Sequence, residues 1–267
     1  MIGSFNKSYA LGGNFLKYEP KENLKLSIEL SLDGFSFVVI DDGKPIFIEE
    51  YRIDGINDFE SYTPNLKKLL EALNFSNFFF ERVKVLLQTP QLVIVPKIVF
   101  DPKQAEKYMH FCNPTSNARL VKFDPIETIE SIGIFELADG IETTLNSHFP
   151  RYELRHSTAS LIDWYLRSSI FLSGEYTMVV KQFGSGFTIL CFEKHKLLAY
   201  NSFKCLNEND YLYYLMYFVE QFNFDVTQLE VIVLAEKSEC KTFAVNIHQI
   251  FSNVLEVEHH LHLTNHW

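Results

Sequence analysis

A few groups of residues in this 267-residue chain have types and spacings that could do chemistry. The densest lies in EVEHHLHLTNHW, where Glu258, His259, His260, His262 and His266 crowd together. Along an extended chain His260 and His262 share a face, a spacing compatible with two ligands of one ion. The plainer alternative is a solvated strand, and with no acidic or histidine partner identifiable elsewhere no metal site is expected. A second group is the turn Gly184-Ser185-Gly186, whose backbone N–H groups could cradle an anion or merely close a hairpin. Asp33-Gly34 is ordinary hairpin chemistry. There is no G-x-S-x-G elbow, no G-x-x-x-x-G-K-[ST] phosphate loop and no H-E-x-x-H pair, so no catalytic residue is expected from a motif.

The elements that must position these residues are legible in the apolar periodicity. The first twenty or so residues are polar and glycine-containing, and predict an arm or a peripheral strand. From Leu24 to Ile53, alternating apolar residues broken at Asp33-Gly34 and Asp42-Gly43 predict a three-strand antiparallel meander. Asp58 to Leu73 has helical spacing in Leu66, Leu69, Leu70 and Leu73. Val83 to Val95 reads as one strand-like run interrupted at Thr89-Pro90, and Pro102 to His110 as a short helix. Arg119 to Phe123, Gly133 to Leu137 and Tyr152 to His156 are expected strands. Ala138 to His148 and Ser157 to Ser169 are expected helices, the latter with Ser157 as N-cap.

The opening pattern then returns. Tyr176 to Phe203 predicts a second three-strand meander with turns at Gly184-Ser185-Gly186 and Lys194-His195. A helix over Glu208 to Phe222 follows, rich in Tyr211, Tyr213, Tyr214, Tyr217, Phe218 and Phe222. Most of those rings should be core, with one or two tyrosines turned outward. Leu229 to Ala235 predicts a buried strand, Phe243 to Phe251 a helix, and Val254 to Val257 a last short strand. The two halves share the order β-β-β-α-β-α at an offset of about 150 residues, with negligible residue identity.

Two such halves, each opening with a meander, resemble the ribonuclease-H-like domains of the actin-like ATPase superfamily, over roughly Leu24 to Val257. The closest resemblance is to an uncharacterised bacterial domain-of-unknown-function family of stand-alone actin-like proteins. The resemblance implies an α/β fold of two similar ribonuclease-H-like domains. The first would span 1–157 with its N-terminal arm; the second, with a linking helix, would span 158–267. It also implies a nucleotide between the halves, with glycine in the first hairpin of each half against phosphate and an Asp ending each first strand near Mg²⁺. On that pattern Glu29 occupies the first Asp position and Ser31 the first glycine, beside Asp33 and Gly34. Lys181 occupies the second Asp position, ahead of Gly184, Ser185 and Gly186. A charged Lys does not ligate Mg²⁺. Ala235-Glu236 stand where a Gly-Gly turn would meet adenosine.

With those positions altered, the resemblance implies a non-catalytic pseudo-ATPase that serves as an interaction or scaffold protein and needs no cofactor. The alternative is a working ATP-binding enzyme, a kinase or slow ATPase, using Glu29 with ATP and Mg²⁺. A net charge of −10 and a pI near 5.4 count against nucleic-acid binding and against anionic lipid surfaces. No run is long enough for a signal peptide or a membrane span. The scattered cysteines Cys112, Cys191, Cys205 and Cys240 suit a reducing compartment, so a cytoplasmic protein is expected. A protein partner is expected, of unknown identity. Self-association is open because actin relatives assemble, although the negative charge works mildly against it.

Overall fold

The computed structural model describes residues 5–12, 23–31, 34–53, 59–73, 75, 78–89, 91–112, 120–168, 174–183, 186–235, 247–258 and 260–264. The chain forms two compact units, residues 1–161 with 263–267, and residues 162–262.

In the first unit β1 (Phe5–Leu11) precedes the meander β2 (Lys25–Ser31), β3 (Gly34–Asp41) and β4 (Lys44–Ile53). Helix α1 (Phe59–Leu73) leads to β5 (Arg82–Gln88). An inserted segment carries β6 (Leu92–Pro96), α2 (Ala105–Cys112), β7 (Val121–Ile126) and β8 (Ser131–Glu136). The chain then returns through α3 (Ile141–His148) to β9 (Glu153–His156) and α4 (Ser157–Arg167). The main sheet runs β1-β4-β3-β2-β5-β9, with β2, β5 and β9 parallel. The β3–β4 hairpin forms because Asp42 and Gly43 both take positive φ, 47° and 74°, the geometry that suits the twist of the flanking strands. One sheet face packs on α1 and on Phe75 just beyond it: the rings of Phe35 and Tyr62 lie 4.6 Å apart, and those of Phe37 and Phe75 5.4 Å apart. Burying such rings is the main favourable term here, worth about 1.5–3 kcal/mol each.

The run 83–95 is two strands of different sheets rather than one interrupted strand. β5 stays in the main sheet, while β6 joins a separate sheet of order β6-β8-β7. A proline at the break removes the N–H that continued pairing would need. The strand expected at Arg119 to Phe123 extends instead to Ile126. It runs through Pro125, which is tolerated because β7 is an edge strand.

The second unit repeats the meander as β10 (Tyr176–Phe183), β11 (Gly186–Glu193) and β12 (Lys196–Lys204), followed by α5 (Glu208–Gln221), β13 (Glu230–Ala235) and β14 (Asn253–Glu258). Its sheet order, β12-β11-β10-β13-β14, matches β4-β3-β2-β5-β9 strand for strand. Helix α5 begins on a capping box between Asn207 and Asp210. It buries Leu215, Phe218 and Val219 against Val180, Phe187 and Ile189, while Tyr213 and Tyr217 face outward. Of the helix expected over 243–251, residues 247–250 are helical and 243–246 lie outside the described residues.

The histidine-rich stretch is not an extended strand. Residues His260–Thr264 form a short helix, and Leu263 is buried with Val38, Ile40, Ile48 and Leu86 of the first unit. Anchoring that leucine in an apolar cluster favours the helix over a solvated strand. No helix among the described residues is long and apolar enough to cross a membrane.

Candidate functional site

The register of the two meanders places Glu29 and Lys181 at the same point of their sheets. Glu29 lies between Ser36 on β3 and Leu86 on β5; Lys181 lies between Thr188 on β11 and Leu234 on β13. Both are buried, Glu29 at 6% exposure and Lys181 at 0%. The Glu29 carboxylate is held from within: Ser157 Oγ donates to Glu29 Oε1 at 2.5 Å. Ser157 is the first residue of α4. The first turn of α4 is capped by the preceding residue, whose ring nitrogen His156 Nδ1 accepts from the Thr158 N–H at 3.1 Å.

That cap fixes the state of the imidazole. With Nδ1 accepting, the ring proton sits on Nε2, which faces Thr89 Oγ1 at 3.0 Å. Thr89 Oγ1 in turn donates to the Gln91 carbonyl at 3.0 Å. The chain of donors closes with a neutral His156, fully buried and with its ring 5.3 Å from Phe135. Asp124, on β7 of the inserted sheet, completes the cluster. Its Oδ2 accepts from the His156 backbone N–H at 2.7 Å and its Oδ1 from Arg155 Nε at 2.9 Å, and Arg155 Nη2 also donates to the Pro125 carbonyl. Glu29, Thr89, His156 and Ser157 thus gather at the carboxyl ends of the parallel strands β2, β5 and β9, where open α/β sheets place their ligands. Here the polar groups are buried and spent on one another.

The glycines that the structure describes in the first hairpin of each unit belong to strands. Gly34 opens β3 opposite Ser31, and Gly186 opens β11 opposite Phe183. A Cβ on Gly34 would lie 2.1 Å from the Tyr51 carbonyl oxygen, and one on Gly186 2.4 Å from that of Phe203. Tyr51 and Phe203 are themselves matching residues of β4 and β12. Each glycine is therefore required by the close approach of the third strand, without reference to any anion. Ser31 Oγ donates to the Gly34 carbonyl at 3.3 Å, inside its own turn. Asp33, Gly184 and Ser185 lie outside the described residues, as do Glu236 and His259. Ala235 ends β13. His260 is buried to 8% exposure with Nε2 3.1 Å from Glu258 Oε2, and among the described residues no group of three metal-capable side chains converges.

Sequence reasoning located Glu29 and Lys181 but passed over His156, Thr89, Asp124 and Arg155. Two signals were available. Thr89 precedes a proline that ends a strand, and His156-Ser157 is a strand-to-helix junction, both of them places where side chains meet at a sheet's carboxyl edge.

A model of the family described as protein of unknown function (DUF3822) matches residues 14–254. The chain belongs to this family. Among solved structures, it is similar to a protein of unknown function with an actin-like ATPase fold from Bacteroides thetaiotaomicron, at 24% identity and a TM-score of 0.73 over 88% of this chain and 91% of that one. It is also similar to the PilM-PilN type IV pilus biogenesis complex, at 11% identity and a TM-score of 0.52 over 91% and 90%. No curated protein matches. These likenesses and the two matched strand orders give the DUF3822 chain a two-domain actin-like ATPase fold.

Proposed function

We propose that this DUF3822 protein is a non-catalytic member of the actin-like fold, a pseudo-ATPase that acts by holding a protein partner. The carrying observation is the pair of matched strand positions. Glu29 is buried with its carboxylate bonded to Ser157, and Lys181 is buried where a second carboxylate would be needed. A lysine at that point supplies no carboxylate oxygen, the ligand that a hard dication prefers. The glycines lend no counterweight, since Tyr51 and Phe203 already require them. Under this reading no nucleotide or Mg²⁺ cofactor is used.

An interaction role is supported by the inserted sheet and its flanks, which expose Ile98, Val99, Phe111 and Phe123, at 93%, 62%, 86% and 41%. Large apolar side chains exposed on one segment are the kind of surface a partner covers. The PilM-PilN structure offers a precedent of a similar fold in complex with a protein. Titration calorimetry with Mg-ATP tests the reading. No heat of binding is expected, and a dissociation constant of about a micromolar or tighter would overturn it.

A further inference from the structure

The two sheets differ at one matched edge. In the first unit β1 pairs antiparallel with β4, so that β4 is an interior strand. In the second unit the matching strand β12 is the outermost, and among the described residues nothing pairs with its free edge. The consequence shows in burial. Phe47, Ile48, Glu49, Glu50 and Tyr51 of β4 are all buried, whereas Ala199, Tyr200, Ser202 and Phe203 of β12 are half-buried and Asn201 is exposed. β12 is a nine-residue strand, KLLAYNSFK, with no proline and no charge between its terminal lysines. Such an edge presents a row of backbone donors and acceptors that templates a further strand.

We infer that the β12 edge receives an extended segment of a protein partner, one with acidic residues at both ends, which adds a sixth strand to the second sheet. The inference deepens the interaction reading above and rests on it. Charge selects the occupant. Where the first unit takes its extra strand, the incoming Lys7 meets the receiving Glu49 in an ion pair, so added and receiving strands are complementary. β12 keeps the basic ends of β4, with Lys196 and Lys204 standing where β4 has Lys44 and Arg52, but lacks its interior Glu49 and Glu50, so its charge is wholly positive. Both lysines are exposed and make no ion pair among the described residues. Glu193, the last residue of β11, pairs with Lys196 across the turn, but Lys194 in that turn adds a further positive charge at that end. A second copy of β12 is the wrong occupant. Full-length antiparallel pairing would set Lys196 against Lys204 twice, and parallel pairing would set each lysine against itself, at the roughly 5 Å spacing where like charges destabilise a pair.

The test uses the whole chain and two synthetic peptides of the length of β12, each with an alternating Val/Thr interior, one ended by Glu and one by Lys. Fluorescence anisotropy measures affinity, and hydrogen exchange locates the contact. The Glu-ended peptide is expected to bind about tenfold or more tighter than the Lys-ended one. It should slow exchange of amides within Lys196–Lys204, and the double variant K196E/K204E should reverse the preference. Equal affinities, no binding of either peptide at about 1 mM, or protection on another strand would overturn the proposal. So would a concentration-dependent oligomer of the chain alone protected along β12, which would make a second copy the occupant. None of these outcomes involves nucleotide, so Mg-ATP binding can sink the pseudo-ATPase reading while leaving the edge measurement to stand or fall by itself.

Discussion

At matching points the two units answer the same structural question with opposite chemistry. The first sheet puts a carboxylate, Glu29, at the end of its central strand, ties it to Ser157 and closes its outer edge with β1. The second puts a lysine, Lys181, at the corresponding place and leaves β12 at its edge. What survives in both is the backbone geometry: strand order, register, and a glycine pressed against the third strand. Shared geometry with divergent side chains at matching points is expected where packing sets the fold and individual residues set the chemistry. The comparison separates what holds the fold from what a nucleotide would require.

The strongest way to break it is at the glycines. Gly34→Ala and Gly186→Ala should each cost about 3 kcal/mol or more, read as a shift in urea midpoint, because a carbonyl oxygen already fills the space. If only one variant is destabilised, the two hairpins are not equivalent. A smaller effect is expected at the Glu29 contact. Ser157→Ala should lose about 1–3 kcal/mol by leaving a buried carboxylate short of a donor. No loss there would mean that Glu29 is free to serve another partner. Along the edges, Lys7→Met should cost about 1–2 kcal/mol, since Glu49 is buried and also accepts from the Tyr51 hydroxyl. Lys204→Met on the open edge should stay within about 0.5 kcal/mol. Equal costs would erase the distinction between a closed and an open edge.

The gentlest probe is alkaline pH. Burial pushes the Cys191 and Cys205 thiols up to about 12, from an ordinary 9.0. The folded protein holds these protons while an unfolded chain releases them. Their contribution is therefore complete below about pH 9 and drains away as pH rises toward 12. Urea midpoints should fall across that window. Below it, a thiol-reactive reagent should modify exposed Cys112 well before the two buried thiols.

Much of the architecture was legible because it depends on local periodicity. Both meanders alternate apolar residues between turn signals, and the helices at Leu66–Leu73 and Tyr211–Val219 carry their apolar stripe in the letters. The inserted sheet was not legible as such. Its strands are short, and sequence alone cannot say that Val85 and Ile94, a few residues apart, belong to different sheets. The site was half legible for a related reason. Glu29 and Lys181 could be found by aligning one meander on the other, a one-dimensional operation. Asp124, His156 and Thr89 meet only after β7, β9 and the end of β5 have been brought together, and no spacing announces that. His260 to Thr264 failed in the opposite direction, because a histidine-rich stretch reads as solvated until Leu263 is seen to be buried.

That buried leucine has a consequence for how the protein is made. Its cluster joins Val38, Ile40, Ile48 and Leu86, residues that leave the ribosome early, to one that emerges only after the whole of the second unit. A nascent chain can therefore assemble the second sheet as a continuous stretch, while the first waits with an apolar surface exposed, a window in which a chaperone would find it. The half translated first is the half completed last.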